Sequence, residues 1–166
     1  MMSRPHLIVG LSVLALSAIA LAQPRANTPR IVYNASASVP IGYYAVMPVS
    51  DIERHDLVLV QTPAAVRGLA DQRRYLPRDV PMIKGVAALS KDVVCAVGET
   101  IAINGQPTVT RQRYDRAGRV MPWWEGCVRL DEDDVFLLNP GAPYSFDGRY
   151  FGVVKRSLVI GKVRPL

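Results

Sequence analysis

Two serines stand two apart in Asn34-Ala35-Ser36-Ala37-Ser38-Val39-Pro40-Ile41-Gly42-Tyr43, just ahead of a Pro-x-Gly turn. In extended backbone, residues two apart point to the same side, so this stretch can present both hydroxyls together. A serine hydroxyl is a weak nucleophile until a neighbouring base takes its proton. The 166-residue chain has few groups to serve as that base. It contains two histidines, His6 and His55, and His55 sits between Arg54 and Asp56 in a polar turn. Of the 20 basic residues, 16 are Arg, which does not readily give up its proton. The four lysines are Lys84, Lys91, Lys155 and Lys162, and only Lys84 lies inside an apolar run, Pro81-Met82-Ile83-Lys84-Gly85-Val86-Ala87-Ala88-Leu89. Burial disfavours an ammonium and lowers its pKa from about 10.4 toward the range where the neutral amine can accept a hydroxyl proton. A serine-lysine dyad is therefore chemically feasible. Taken singly, each half also has an ordinary reading: Ser-x-Pro-x-Gly occurs in many loops, and strand lysines often snorkel at a sheet edge.

The elements that must position these groups read mostly as strands. Runs rich in β-branched and aromatic residues recur at Arg30 to Tyr33, Tyr43 to Val49, Asp56 to Gln61, Met82 to Leu89, Glu99 to Ile103, Val135 to Leu138, Tyr150 to Val154 and Leu158 to Val163. Asn104-Gly105, between Thr100-Ile101-Ala102-Ile103 and Pro107-Thr108-Val109-Thr110, is a two-residue hairpin signal, because both central positions need positive φ. One helix is expected, with Thr62 as N-cap, Pro63 in the first helical position and Ala64 to about Gln72 following. Residues Arg111 to Glu125 read as a loop or hairpin insertion carrying Arg111, Arg113, Arg116 and Arg119 and ending in Trp123-Trp124. The expected fold is mainly β, an antiparallel β domain with one short helix.

Residues 1–22 read as a targeting element. A short basic head precedes an uncharged run from Leu7 to Ala22, shorter than the roughly 20 residues of an ordinary membrane span. Ala20-Leu21-Ala22 resembles a small-x-small cleavage site, so a cleaved signal peptide and an uncleaved anchor are both open. Either way residues 23–166 are expected to be exported. An oxidising compartment would let Cys95 and Cys127 join, closing a loop worth on the order of 3.5 kcal/mol; two buried thiols are the alternative.

A third block, Ser145-Phe146-Asp147-Gly148-Arg149-Tyr150-Phe151-Gly152, follows the turn Asn139-Pro140-Gly141-Ala142-Pro143. With it the chain resembles the serine-lysine signal peptidases. The resemblance spans three blocks in that family's order: Ser36-Ala37-Ser38 with its Pro-Gly turn, Lys84 in an apolar strand, and Ser145-x-Asp147-x-Arg149-Tyr150-x-Gly152, distributed over about 120 residues behind a targeting segment. Ordinary type I signal peptidases carry proline three residues after the nucleophile. Here it falls two after Ser38, and Ser-x-Pro-x-Gly-x-Tyr preceded by Asn34 is similar to the TraF-type maturation peptidases of conjugative-transfer pilin systems. The Gly-Asp-Asn that often opens the third block is replaced by Leu138-Asn139-Pro140-Gly141.

The resemblance implies a signal-peptidase-like fold and a role for each residue. Ser38 is the nucleophile and neutral Lys84 its base. Ser36 and the Ser38 backbone N–H form the oxyanion hole. Ser145 orients the lysine amine, and Asp147 with Arg149 supports the site, although an ordinary turn-stabilising ion pair is an equal reading of those two. It also implies a pilin or preprotein bound as an extended strand, the periplasmic face of the bacterial inner membrane as the place of work (or the periplasm, if the leader is cut), and no metal or cofactor. A general signal peptidase and a non-enzymatic exported scaffold are the rival functions. Nucleic-acid binding, suggested by a pI near 9.6, is set aside because export and the lack of an aromatic-basic motif oppose it. Asp131-Glu132-Asp133-Asp134 reads as a solvated turn rather than a calcium loop, Trp123-Trp124 as core or membrane interface, and the Arg-rich stretch as facing anionic lipid or water.

Overall fold

A computed structural model of the protein describes residues 29–49 and 51–166. The expected targeting element, residues 1–22, lies outside them. Among the described residues no helix is long and apolar enough to cross a membrane.

Antiparallel strands dominate, as expected. The strands are β1 (Ile31–Asn34), β2 (Gly42–Met47), β3 (Leu57–Val60), β4 (Met82–Ala88), β5 (Val93–Val97), β6 (Thr100–Ile103), β7 (Gln106–Thr110), β8 (Gly126–Arg129), β9 (Asp134–Leu138), β10 (Val154–Lys155) and β11 (Val159–Pro165). They form two sheets. The larger has the order β1-β2-β11-β3-β4-β9-β10, and the smaller the order β7-β6-β5-β8. A nine-residue helix α1 (Ala64–Gln72) connects β3 to β4, and a single helical turn α2 (Gly148–Phe151) follows β9.

β9 joins the two sheets in one interior. Its five residues are all buried, and alternation divides them: Val135 and Leu137 pack with Val58, Val60, Met82 and Val86, while Phe136 and Leu138 pack with Val94, Ala96, Ile101 and Ile103 of the smaller sheet. A strand with both faces covered has no polar side to show, which is why Val135-Phe136-Leu137-Leu138 is continuously apolar. In the smaller sheet Asn104 and Gly105 turn the β6–β7 hairpin at φ of +52° and +77°, as their types predict. Cys95 of β5 lies directly opposite Cys127 of β8, and the two form a disulfide.

Three expectations need correction. Thr62 does not cap α1: Pro63 occupies the cap position without a side-chain hydrogen bond, and the Thr62 hydroxyl is buried without a partner. The stretch Tyr150 to Val154 is not a strand. Asp147 accepts a hydrogen bond from the Arg149 N–H and starts the helical turn α2, leaving only Val154–Lys155 to pair with β9. β5 and β8 are strands not anticipated from the sequence. All four β8 residues are exposed, so nothing in their pattern marks a strand; pairing with β5 creates it.

Candidate active site

Lys84 sits mid-strand on the face of β4 that points into the core. Its cross-strand neighbour is Val58, and Met82 and Val86 flank it on the same face, all three part of one apolar cluster. The side chain is 4% exposed. Burial pulls the Lys84 amine down from its ordinary value to about 8; the charge of Asp147 opposes this shift and that of Arg149 adds to it. The amine donates a hydrogen bond to the Ser145 hydroxyl at 2.9 Å. An amine lowered this far gives up its proton much more readily than an exposed lysine does.

The loop carrying Ser145 is held by a buried polar network. Asp147 is fully buried and accepts hydrogen bonds from the Asn139 N–H at 3.0 Å and from Arg149 Nε and Nη2 at 2.8 and 3.1 Å. Arg149, 1% exposed, also donates to the Asn139 and Pro143 carbonyls. Asn139 ties this loop to the lysine strand: its Oδ1 accepts from the Gly85 N–H at 2.9 Å and its Nδ2 donates to the Ile83 carbonyl at 3.3 Å. The two bonds bracket Lys84 on both sides along β4. Gly85 is required there, since a Cβ would lie 2.8 Å from the Leu138 carbonyl oxygen. Each buried side-chain nitrogen and oxygen of this network has at least one hydrogen-bond partner, the condition under which a buried ion pair is tolerable.

On the facing side, the serines occupy the connection between β1 and β2. They are not in extended backbone; the chain bends through residues 36 to 39, and the two hydroxyls meet at 2.9 Å because of Asn34. Asn34 Oδ1 accepts from both the N–H and the hydroxyl of Ser36, and its Nδ2 reaches the carbonyls of Ser36, Val39 and Pro40. The Tyr44 hydroxyl also donates to the Pro40 carbonyl, at 2.8 Å. Among the described residues the Ser38 N–H has no protein acceptor.

Ser36, Ser38, Lys84 and Ser145 line a single cleft of about 630 Å³. Within it the hydroxyl pair Ser36–Ser38 and the pair Lys84–Ser145 are each bonded internally, and no hydrogen bond joins Ser38 to Lys84. Asp147 and Arg149 lie behind Ser145. His55 is exposed in a turn at φ of +72°. Sequence reasoning did not give Asn34 and Asn139 these roles as hydrogen-bonding hubs. Asn34 is marked only as the residue that precedes the Ser-x-Pro-x-Gly-x-Tyr block, and Asn139 only by its place just after a strand at the start of a Pro-containing turn.

The cleft thus holds a pair of serine hydroxyls and a buried lysine amine, groups from which a nucleophile and a base can be drawn. The chain belongs to the signal peptidase family, peptidase S26, whose match extends over residues 5–166. Within that family it is similar to the plasmid transfer protein TraF of Escherichia coli. One such protein is 30% identical over 167 residues, spanning 95% of this chain and 90% of its own length; another is 29% identical over 143 residues, spanning 80% of each. Among solved structures, a signal peptidase I from Enterococcus faecalis V583 aligns with 70% of this chain and 99% of its own at 20% identity and a TM-score of 0.42.

Proposed function

We propose that the protein is a serine endopeptidase that uses Ser38 and Lys84 to process an exported precursor, a conjugative pilin above all. Ser38 Oγ turns from Ser36 toward Lys84, gives its proton to the neutral amine and attacks the scissile carbonyl. The oxygen that becomes negative is met by the Ser38 N–H and the Ser36 hydroxyl, and losing one such donor costs about 100- to 1,000-fold in rate. The protonated Lys84 returns the proton to the leaving amine. Ser145 keeps the amine aimed during both transfers, and the Asp147–Arg149 pair keeps Ser145 in place. The substrate lies extended in the cleft beside Ser38.

One observation carries the reading: a lysine buried to 4% exposure, its amine brought to about 8, opens into the same cleft as the paired serine hydroxyls. The plasmid-transfer names of the relatives support a conjugative substrate, and the disulfide supports work outside the cytoplasm, at the periplasmic face of the inner membrane. The acyl-enzyme has two possible ends: water gives a cut chain, and the N-terminal amine of the precursor gives a ring.

Co-expression with a candidate pilin precursor and intact-mass analysis test this. Wild type yields a processed product, lighter by one further water if cyclised, while Ser38→Ala and Lys84→Ala leave the precursor whole and keep the fold. Normal processing by either variant would overturn the proposal.

A further inference from the structure

The cleft reaches beyond the serines and lysine to a basic rim. The Arg111 to Glu125 loop is a tight hairpin, bridged at Tyr114 and Val120 and closed by hydrogen bonds from the Asp115 N–H to the Arg119 carbonyl and from the Gly118 N–H to the Asp115 carbonyl. It presents Asp115, Arg116 and Arg119 to the cleft, and Arg73 at the end of α1 lies against it, donating to the Val120 carbonyl and accepting at its own carbonyl from Arg119 Nη2. Three guanidinium groups thus share the rim with one carboxylate.

That carboxylate is already saturated. Asp115 accepts from the Tyr75 hydroxyl, from the N–H groups of Ala117 and Arg119, and from Arg119 Nε at 2.7 Å. It therefore neutralises Arg119 and nothing else. Arg73, half-buried, is fixed by a hydrogen bond from Nη1 to the Val120 carbonyl at 2.9 Å but has no ion-pair partner among the described residues. Arg116 lies 4.6 Å over the Tyr144 ring, also without an ion pair among the described residues. Tyr144 immediately precedes Ser145, so the Arg116 charge sits beside the loop that holds the lysine. Two positioned arginines with unused donors and no counter-charge are a receptor for a planar anion, because a guanidinium fork matches a carboxylate in two parallel hydrogen bonds.

We propose that Arg73 and Arg116 form a carboxylate-binding subsite of the cleft, which seats an acidic side chain or the C-terminal carboxylate of the bound peptide. The assignment rests on the reading of the cleft as a peptide site. It gives the enzyme a requirement for a negative charge at a set distance from the scissile bond, in addition to the apolar cleft floor of Leu76, Met82 and Phe146.

The test separates binding from catalysis. Fluorescent short peptides of Ala, Ser, Thr and Val, carrying one Glu moved through successive positions, are titrated into the full-length Ser38→Ala protein. Each has a Gln counterpart, and each is made as C-terminal acid and as amide. The expected result is a roughly tenfold tighter Kd for Glu over Gln at one or two positions, or for acid over amide at the chain end, lost in Arg116→Gln and at high salt. Arg116 is exposed, so its removal leaves the fold intact. Discrimination below twofold at every position, or discrimination that persists in both Arg116→Gln and Arg73→Gln, would overturn the subsite. So would an Arg116→Gln variant that loses binding to phosphatidylglycerol vesicles and keeps its peptide affinities, which would assign the rim to lipid. Wild-type cleavage of Glu and Gln peptides at equal rates would sink the subsite and leave the peptidase standing. Arginine-dependent preference in a protein that cuts no peptide would do the reverse.

Discussion

Arg149 and Arg111 are both buried to 1% or less, one behind the lysine cleft and the other beside the smaller sheet, and their surroundings are built differently. Arg149 is closed in by acceptors from a nine-residue stretch of one loop, Asn139 to Asp147, and its counter-ion is as dry as itself. Arg111 instead ties distant pieces together. It donates to the Gly98 carbonyl through two nitrogens and to the Trp124 carbonyl, stacks 3.5 Å from the Trp123 ring, and pairs with Glu125, whose side chain is 52% exposed. Nearby, the Cys95–Cys127 bond joins β5 to β8 covalently. The first region fixes the position of a side chain that faces Lys84; the second holds a sheet that presents nothing to the cleft's serines. Stability and activity should therefore respond together in the first and separately in the second.

The hardest break is Asp147→Ala. It strands a guanidinium in a dry interior, so urea unfolding should register a loss of about 3–5 kcal/mol, and peptide cleavage should vanish with it. Replacing the whole pair, Asp147→Leu with Arg149→Met, should return much of that stability and none of the activity, because the Asn139 N–H and the Ser145 loop lose their anchor. Recovery of cleavage in the double variant would mean that the pair is only structural. On the other side, Cys95→Ser with Cys127→Ser should cost on the order of 3.5 kcal/mol in denaturant midpoint terms and leave kcat/KM within about twofold. A parallel fall in kcat/KM would erase the distinction between the two regions. Arg111→Lys is gentler: it leaves backbone acceptors unmet, about 1–3 kcal/mol, with solvent able to enter beside Glu125, and cleavage of a peptide without an acidic residue should be unchanged.

The smallest effect concerns proton uptake by the first region. With the Lys84 amine near 8, kcat/KM should rise about tenfold per pH unit below that value and level off above it. Stability carries the same sign. Between about 8 and 10.4 the unfolded lysine binds a proton that the native one does not, so unfolding free energy rises with pH across that window. Lys84→Met should remove this slope in a pH series of urea melts and raise stability at neutral pH, since it ends the cost of burying an amine. A pH-independent difference between wild type and Lys84→Met would refute the burial argument.

Much of this architecture could be read locally. The Asn104-Gly105 hairpin and α1 depend on residues within a few positions of one another, and Pro81 to Leu89 had to be a buried strand because it is apolar on both faces. Lys84 stood out for the same reason: a charge is conspicuous in a run that must leave water. The misreadings have two sources, contacts distant in sequence and a local cap too short for a pattern to show. Thr62 looked like a cap, yet tertiary packing buried its hydroxyl without a partner. The Tyr150 segment looked like a strand, yet a cap supplied by Asp147 three residues earlier turned it into a helical turn too short for periodicity to betray. β8 has no pattern of its own, and Asn34 and Asn139 are single polar residues whose acceptors lie up to 56 positions away.

Sequence alone thus determined which groups were available for chemistry, since composition left one lysine in apolar surroundings and almost no histidine. It also determined that strands would dominate, because side-chain alternation and turn residues act at short range. The tertiary structure decided which of these groups meet. Lys84 faces Ser145 across 61 residues of chain, and the bend through residues 36 to 39, held by the Asn34 side chain, brings Ser36 to Ser38, through hydrogen bonds whose direction no periodicity encodes. The shift of the lysine amine belongs there too, because it comes from neighbours on β3 and β4 that assemble around it only when the sheet closes.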